Sequence, residues 1–377
     1  MQNRAFQKCS SIGGGLLLIF LSAGCGSNPV TTPVTPGKKG PNQLSVAYAA
    51  NVSDNDISGY VIDGATGVLT GIGGGATPAG TQPFSIAITP SGKYVYASNT
   101  SSDNVSVYSA NVNTGALTPI PGSTVAVGVQ PAGIAIDPLG KFLFVPNYLS
   151  NNISVFQISA ANGALTPAPG SPFASPTEVI EVALNPSGTF VYAPAQGAGL
   201  AVYGLDQHTG ALTEIAGSPF FAGPAPSSVQ ITPSGKYLYV TNEVIDTTYE
   251  FALDATTGVA SFIGSTPQVS GAARGAKIDP SGKFLYVSDS FNDNIVGYQI
   301  DVNTGILSQL SAGPFATGSA PFSIAFDPSG KFVYVACSGG GLFAYAFDSS
   351  SGNLTPLSGS PFPAGNNPQW VTTGTLQ

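Results

Sequence analysis

A short phrase, Pro-Ser-Gly-Lys or a close variant of it, recurs six times along this chain at intervals of 47 or 48 residues. The copies begin at Pro90, Pro138, Pro186, Pro233, Pro280 and Pro328. A fixed period of this size indicates a repeat fold in which each copy is one supersecondary unit. A second marker, a glycine turn before an apolar residue, recurs seven times, at Gly67, Gly115, Gly163, Gly210, Gly258, Gly305 and Gly352. Together the two markers predict seven units.

Each unit has the pattern of four short strands and no helical period. In the second unit, residues 84–88 form a small apolar strand, and Pro90 and Gly92 supply the φ angles of a tight turn. Residues 94–98 alternate aromatic and β-branched residues, as strands prefer, and residues 105–108 form the third strand. Leu117 begins the fourth strand after a hairpin turn. Four-stranded units at this period are the blades of a propeller.

The two ends of the chain predict how the ring closes. The first unit has its second strand at residues 44–48, but no innermost strand precedes it. The C-terminal residues 368–373 have the pattern of an innermost strand and then the chain stops. The predicted fold is therefore an all-β, seven-bladed β-propeller of four-stranded antiparallel blades, with the first blade closed by the C-terminal strand.

The N-terminus has the pattern of a secretory leader. Arg4 and Lys8 form a basic start, and residues 16–23 form an apolar stretch too short to span a bilayer. The segment leading to Cys25 resembles a bacterial lipoprotein signal, in which the cysteine is lipidated and becomes the first mature residue. The alternative is an ordinary cleaved signal that leaves a free cysteine.

Three segments follow from these patterns. Residues 1–24 are predicted to be a lipoprotein signal peptide, residues 25–40 a flexible tether rich in proline and glycine, and residues 41–377 the propeller. The expected location is the bacterial cell envelope, where the protein is lipid-anchored. Gly26 follows the cysteine, and by resemblance to other lipoproteins this favours the outer membrane.

Cysteine and histidine are too scarce for several kinds of site. Cys337 is the one cysteine left in the predicted propeller, so no disulfide can form within it, and we expect a buried thiol. His208 lies in a hairpin turn that we place at the blade periphery. This inventory excludes a cluster of histidine and cysteine metal ligands, and we expect no metal and no cofactor. A carboxylate site at Asp54 and Asp56 is less favoured than a polar loop.

The second strands carry a resemblance to a known family. Leu238-Tyr239-Val240-Thr241-Asn242 and Leu285-Tyr286-Val287-Ser288-Asp289 resemble the YVTN repeat of bacterial surface propellers. From about residue 41 to the end, the chain is similar to the seven-bladed lactonase family, which includes 6-phosphogluconolactonases and carboxymuconate cyclases. The resemblance implies a propeller fold and, more weakly, an activity on lactones.

The family places histidine, arginine and glutamate at the inner ends of its central blades. Where the resemblance leads us to expect histidines, this chain has Pro131-Ala132-Gly133 and Pro226-Ser227-Ser228. Glu243 is retained, and Arg274 stands at the equivalent of the family arginine. Glu243 and Arg274 are therefore the candidate catalytic residues, since lactone opening needs an acid–base group and a cation for the developing oxyanion.

Charge is distributed unevenly over the predicted disc. Without Arg4 and Lys8, the chain has nine basic and nineteen acidic residues. Five lysines occupy the repeated turns on one face: Lys93, Lys141, Lys236, Lys283 and Lys331. Acidic residues are predicted on the opposite face: Asp54, Asp56, Asp103, Glu178, Glu181, Glu243, Asp246, Asp289 and Asp293. An acidic mouth repels polyanions, which argues against nucleic acid and against a doubly charged sugar phosphate.

Two functional hypotheses remain. The first is a non-catalytic binding module that holds a small molecule, a glycan or a protein at the acidic mouth, with Glu181, Arg274 and Trp370 as ligand-binding candidates. The second is a lactone hydrolase that uses Glu243 and Arg274. The missing histidines favour the first.

In the structural interpretation of Arg274, it pairs with Glu243 or Glu181 instead of a ligand. Phe84, Phe322 and Trp370 are expected to pack at the mouth. We expect a monomer that contacts the membrane through its lipid anchor alone.

The anchor can be tested directly. We expect Cys25→Ser to release the protein from membrane fractions, because the predicted tether and the acidic disc have no other affinity for a membrane. The measurement is the distribution of the protein between soluble and pelleted fractions, with Cys9→Ser as the matched control. A Cys25→Ser protein that still pellets after a salt wash would contradict the lipoprotein prediction.

Overall fold

A computed structural model describes residues 43–267 and 271–377 of the chain. In this part the chain forms seven antiparallel sheets, each with four main strands, arranged as the blades of a ring. The predicted all-β propeller is confirmed. The predicted signal peptide, Cys25 and the tether lie outside the described residues. Among the described elements there is no helix long and apolar enough to cross a membrane.

The strands of each blade run outward from a central channel. The innermost strands, from the first blade to the seventh, are Pro368–Leu376, Pro83–Ile88, Ala135–Ile136, Ala183–Leu184, Pro226–Ile231, Ala273–Ile278 and Pro321–Phe326. The second strands are Leu44–Asn51, Tyr94–Asn99, Phe142–Asn147, Phe190–Ala195, Tyr237–Asn242, Phe284–Asp289 and Phe332–Cys337. The pattern predicted for the second unit therefore holds in every blade.

The outer strands complete each blade. The third strands are Asp56–Ile62, Asn104–Ala110, Asn152–Ile158, Gly199–Leu205, Thr247–Leu253, Asn294–Ile300 and Leu342–Phe347. The fourth strands are Leu69–Gly71, Leu117–Ala126, Leu165–Pro167, Leu212–Glu214, Ala260–Ser265, Leu307–Gln309 and Leu354–Pro356. In three blades a further two-residue strand pairs with the third strand, at Thr77–Pro78, Phe173–Ala174 and Phe315–Ala316.

The ring closes within the first blade, as the sequence predicts. The C-terminal strand Pro368–Leu376 pairs antiparallel with Leu44–Asn51, from Leu44 opposite Leu376 to Asn51 opposite Pro368. Two segments separated by almost the whole propeller thus share one sheet. This pairing leaves the first blade with the same four main strands as its neighbours.

The core of the protein lies between blades. In the described part of the chain, seven clusters of buried apolar side chains each join two successive blades. The cluster between the last and first blades contains Tyr334 and Ala336 of one and Ala47 and Ala49 of the other. Burial of apolar area, the main favourable term in folding, therefore stabilises the ring as well as each blade.

A repeated tyrosine bond ties six of the seven blades to the next. A buried tyrosine of the second strand donates its hydroxyl hydrogen to the carbonyl of the marker glycine in the following blade. The six pairs are Tyr48–Gly115, Tyr96–Gly163, Tyr192–Gly258, Tyr239–Gly305, Tyr286–Gly352 and Tyr334–Gly67, at 2.5 to 3.2 Å. The third blade has Phe144 at this position, which packs without a hydroxyl. The marker glycines have φ of 73 to 81°, which only glycine adopts easily.

Several acidic residues of the predicted mouth have a structural part. Asp103, Asp246 and Asp293 lie in the turns between second and third strands, and each accepts a backbone N–H bond from the next blade. Asp54 accepts the backbone and side-chain N–H groups of Asn366, and these bonds lower its pKa. Part of the negative charge on this face thus holds the loops of adjacent blades together.

One carboxyl group interrupts the apolar packing between the fifth and sixth blades. Glu250 is 1% exposed and lies opposite Tyr239 in the sheet, where other blades have Val107, Val155 or Val202. Its Oε1 accepts the N–H of Leu307, while its Oε2 has no hydrogen-bond partner. Burial raises the pKa of Glu250 to about 7.

Ring closure predicts a strong dependence on the last strand. Deleting residues 368–377 should cause a large loss of stability or aggregation, because the first blade would lose its inner strand and expose unpaired backbone groups. Thermal unfolding measures the effect. Deletion of Gln377 alone, which follows the strand, is the matched control. A truncated protein that melts within about a degree or two of the parent would contradict the closure.

Glu250 predicts a pH-dependent stability. Because its folded pKa is raised, its carboxyl is best tolerated below the unfolded value of about 4.3 and destabilises the fold as pH rises toward 7. Glu250→Val copies three other blades and should raise the free energy of unfolding at pH 8 by about 1–3 kcal/mol. The gain should shrink at pH 5. Denaturant unfolding at the two pH values measures it, with the neutral Glu250→Gln as the companion variant. An equal gain at both pH values would refute the explanation.

Candidate functional site

A central channel with a cavity of about 510 Å³ is lined by the innermost strands of all seven blades. One ring of seven lining residues is defined by the register, since each lies opposite the tyrosine (or Phe144) of its second strand. The ring consists of Thr372, Ala87, Ala135, Ala183, Gln230, Lys277 and Ala325. Five members are small, so the two long side chains, Gln230 and Lys277, stand out on the fifth and sixth blades.

An ion pair lies at the mouth of the channel. Arg274, on the inner strand of the sixth blade, places Nη2 2.6 Å from Oε1 of Glu243, which follows the second strand of the fifth blade. The side chains keep 39% and 25% of their surface exposed. Contact with open solvent keeps the pair from being a large source of stability. The guanidinium has five N–H donors, so it retains capacity for a ligand.

Three aromatic rings lie at the mouth beside this ion pair. Phe84 packs edge-on against Phe322, with ring centroids 5.4 Å apart, and lies 6.1 Å from Trp370. Arg274 stands over Phe322, with Cζ 5.4 Å from the ring centroid. All of these side chains line the channel and are partly exposed. The predicted packing of the three aromatic residues is confirmed, and it forms a continuous apolar wall on the second, first and seventh blades.

Glu181 replaces a serine of the repeat. At the equivalent place, Ser85, Ser228 and Ser323 each accept the backbone N–H of the next inner strand through Oγ. Glu181 does the same with Oε2, which accepts the N–H of Val229 at 3.2 Å. Surrounding protein raises the pKa of Glu181 to about 7, while the Ser228 hydroxyl, the Val229 amide and Lys277 act in the opposite direction. Part of its surface stays open to the channel.

Lys277 lies deeper than Arg274 on the same inner strand. Burial lowers the pKa of its ammonium group, and the charge of Glu181 opposes that effect. Within residues 43–267 and 271–377, Lys277 forms no ion pair or hydrogen bond through its side chain. The channel therefore contains a second basic side chain, which has no direct ion-pair partner among the described residues.

The channel has two unlike walls. Apart from Asp137 of the third blade, the ionisable and amide side chains come from the fourth, fifth and sixth blades: Glu181, Gln230, Glu243, Arg274 and Lys277. Aromatic rings come from the seventh, first and second blades. Such a channel suits a small ring compound that has an apolar face and polar edges, because one wall supplies stacking area and the other hydrogen bonds.

The structure brings the candidate residues together in part. Glu243 and Arg274 are in direct contact, whereas Glu181 forms no ion pair with Arg274. Trp370 and Glu181 line the same channel, on the first and fourth blades. Lys277 was not among the site residues predicted from the sequence. The sequence feature that could have identified Lys277 is a lysine at a position where four other blades have alanine. That comparison requires the inner strands to be aligned by their register.

The remaining candidates lie away from this channel. His208 is in a peripheral turn with its side chain 95% exposed, 3.8 Å from Asp206. Cys337 is buried at the end of a second strand, and burial raises the pKa of its thiol to about 12. Asp56 accepts a bond from Asn51, so Asp54 and Asp56 belong to a polar loop. Among the described residues no group of histidine, cysteine and carboxylate side chains could hold a metal.

Comparison with known proteins gives one family. Residues 42–129 and 181–373 match the family model described as "Lactonase, 7-bladed beta-propeller". These ranges include Glu181, Glu243, Arg274, Lys277 and Trp370. A search of curated proteins found no match.

Solved structures of the same shape come from several bacteria. A proposed 6-phosphogluconolactonase from Bacteroides fragilis has a TM-score of 0.76 at 21% identity, covering 89% of this chain and 99% of the other. A periplasmic gluconolactonase from Pseudomonas aeruginosa has a TM-score of 0.73 at 21% identity, covering 89% and 100%. At these identities the likeness shows the fold alone.

Proposed function

This chain belongs to the family of seven-bladed lactonase β-propellers, and from that premise we propose that it is a lactone hydrolase whose active site is the central channel. The observation that carries the proposal is the contrast between the two walls of that channel. A lactone is a small ring with one apolar face and a polar ester edge. The aromatic wall of Phe84, Phe322 and Trp370 suits the face, and the ionisable wall suits the ester.

At the mouth, Arg274 is the residue proposed to hold the ligand. Glu243 orients the guanidinium through their 2.6 Å contact. The guanidinium also lies over the ring of Phe322, with Cζ 5.4 Å from the ring centroid. The remaining N–H groups of Arg274 can donate to the ester or hydroxyl oxygens of the lactone. The contact with Glu243 also limits Glu243 as a free base, so its part in this proposal is to position Arg274.

Family membership and the two-walled channel support a hydrolase better than the binding module favoured by the missing histidines. Solved neighbours include a gluconolactonase and a proposed 6-phosphogluconolactonase. The acidic residues around the mouth favour an unphosphorylated sugar lactone over a phosphorylated one. We also propose, from the leader sequence alone, that the enzyme acts in the cell envelope while anchored through Cys25.

Hydrolysis of glucono-δ-lactone, followed by acid release in a pH-stat, tests the function. The wild-type protein should accelerate the reaction above the spontaneous rate, and 6-phosphoglucono-δ-lactone should be the poorer substrate. Arg274→Ala should raise KM about 10- to 100-fold, because a charge-assisted hydrogen bond contributes about 1.5–3 kcal/mol. Arg274→Lys should recover only part of this loss, because an ammonium lacks the planar fork of donors.

Lys283→Met, in an exposed turn at the end of the same blade's inner strand, is the matched control and should leave both KM and kcat unchanged. A folded wild-type protein that does not accelerate any γ- or δ-lactone of a sugar acid would overturn the hydrolase proposal in favour of the binding module. Equal kinetics for Arg274→Ala and the parent would remove Arg274 from the site.

A further inference from the structure

Two channel residues depart from the repeat in a related way. Glu181 stands where three other blades have serine, and Lys277 stands where four other blades have alanine. Neither substitution is needed to build a blade, since the other blades form without it. Both project an ionisable group into the cavity from the wall that already holds Arg274 and Glu243.

Glu181 is held in place by the fold. The bond from the Val229 amide to Oε2 and the interaction with the Ser228 hydroxyl orient the carboxyl group. A carboxylate has about four acceptor sites, so these contacts leave capacity on the side that faces the channel. The group therefore has a defined position and room for a further partner.

Lys277 and Glu181 interact without touching. Glu181 accepts the N–H of Val229, and the adjacent Ser228 accepts the N–H of Ala276, the residue before Lys277, so the two side chains flank the same segment of the fifth blade. In the described residues they do not form a direct ion pair, and the charge of each affects the pKa of the other. Because both side chains line the same cavity, a small polar group can bind between them. The partner that satisfies both has an electronegative oxygen for the ammonium and a proton for the carboxylate.

We propose that Glu181 and Lys277 form the catalytic centre of the channel, in which Glu181 activates a water molecule and Lys277 stabilises the oxyanion of a lactone held between them. This inference rests on the proposed lactone hydrolase and assigns its chemistry to the deep pair. The pair at the mouth, Arg274 and Glu243, then binds and orients the ring.

The reaction balances with these two residues and water. Water attacks the carbonyl carbon of the lactone while the Glu181 carboxylate takes one of its protons. The ammonium of Lys277 donates a hydrogen bond to the oxyanion that forms. The tetrahedral intermediate then collapses and breaks the ring C–O bond. The departing alkoxide takes the proton from Glu181, which yields the hydroxy acid and regenerates the carboxylate.

The electrostatics of the channel fit these roles. A base is most effective when its pKa lies near the working pH, and the pKa of Glu181 is about 7. The other charged groups lining the channel are Lys277, the Arg274–Glu243 pair and Asp137. The Asp137 carboxylate is engaged by the amides of Lys141 and Phe142 in its own turn. Lys277 is therefore the charge expected to tune Glu181.

The chain itself supplies the test variants. Glu181→Ser copies three other blades and keeps an acceptor for the Val229 amide, and Lys277→Ala copies the ring of alanines. Both should fold with wild-type melting behaviour. On glucono-δ-lactone, Glu181→Ser should lower kcat about 10²- to 10⁴-fold, and Lys277→Ala about 10²- to 10³-fold. KM should change little in either, in contrast to Arg274→Ala.

The pH profile separates catalysis from a structural role. In the wild type, kcat/KM should rise with pH as Glu181 loses its proton, with an apparent pKa of about 7. Lys277→Ala should move this limb to higher pH, because the ammonium favours the ionised carboxylate. The Lys283→Met control should leave the limb in place. Titration of Glu181 by carboxyl ¹³C NMR in the same proteins should show the same displacement without any substrate.

Failure of this inference differs from failure of the proposed function. A protein that hydrolyses the lactone and keeps its kcat in Glu181→Ser or Lys277→Ala would overturn the inference while the function stands. A wild type without activity would overturn both, and the inference would fall with the function even if the NMR titration shows the coupling. Loss of kcat in both variants, with the shifted pH limb in Lys277→Ala, is the supporting result.

Discussion

The contact on which the rest of this protein depends is the one between neighbouring blades. A second-strand tyrosine reaches across each of six interfaces to a glycine carbonyl in the next blade, and apolar clusters fill the space around it. The bond from Tyr334 to Gly67 and the pairing of Leu44 with Leu376 carry the same geometry across the seam. Because every blade is packed on both sides, the inner strands form a closed wall around the channel.

Because this packing holds each blade in place, a few residues that differ from their equivalents in other blades can form a binding site in the channel. The scaffold tolerates Phe144 in place of a tyrosine and Glu250 in place of a valine, so single positions vary without loss of the ring. The same tolerance lets Gln230 and Lys277 enter the ring of small residues and lets Glu181 replace a serine of the repeat. The repeat supplies the geometry, and its exceptions supply the chemistry.

The ring also changes how charge on the mouth face is understood. Sequence alone groups nine acidic residues there, which indicates a surface that repels anions. Asp103, Asp246 and Asp293 instead accept backbone N–H bonds from the next blade, which ties their charge to loop geometry. Five charged residues line the channel itself: Asp137, Glu181, Glu243, Arg274 and Lys277. Arg274 is paired with Glu243, and Lys277 has no direct ion-pair partner among the described residues.

The sequence by itself determined the seven blades, their four strands and the closure by residues 368–373, because these follow from local periodicity and from turn residues with special φ angles. It also located Glu243 and Arg274, through a motif. Only the tertiary structure decided which charges meet. Arg274 and Glu181 are 93 positions apart in sequence, and nothing local distinguishes Glu181 from Glu243 as its partner. Blade order and strand register place Glu243 against Arg274 and put Glu181 and Lys277 in the same channel, where burial raises the pKa of Glu181 and lowers that of Lys277.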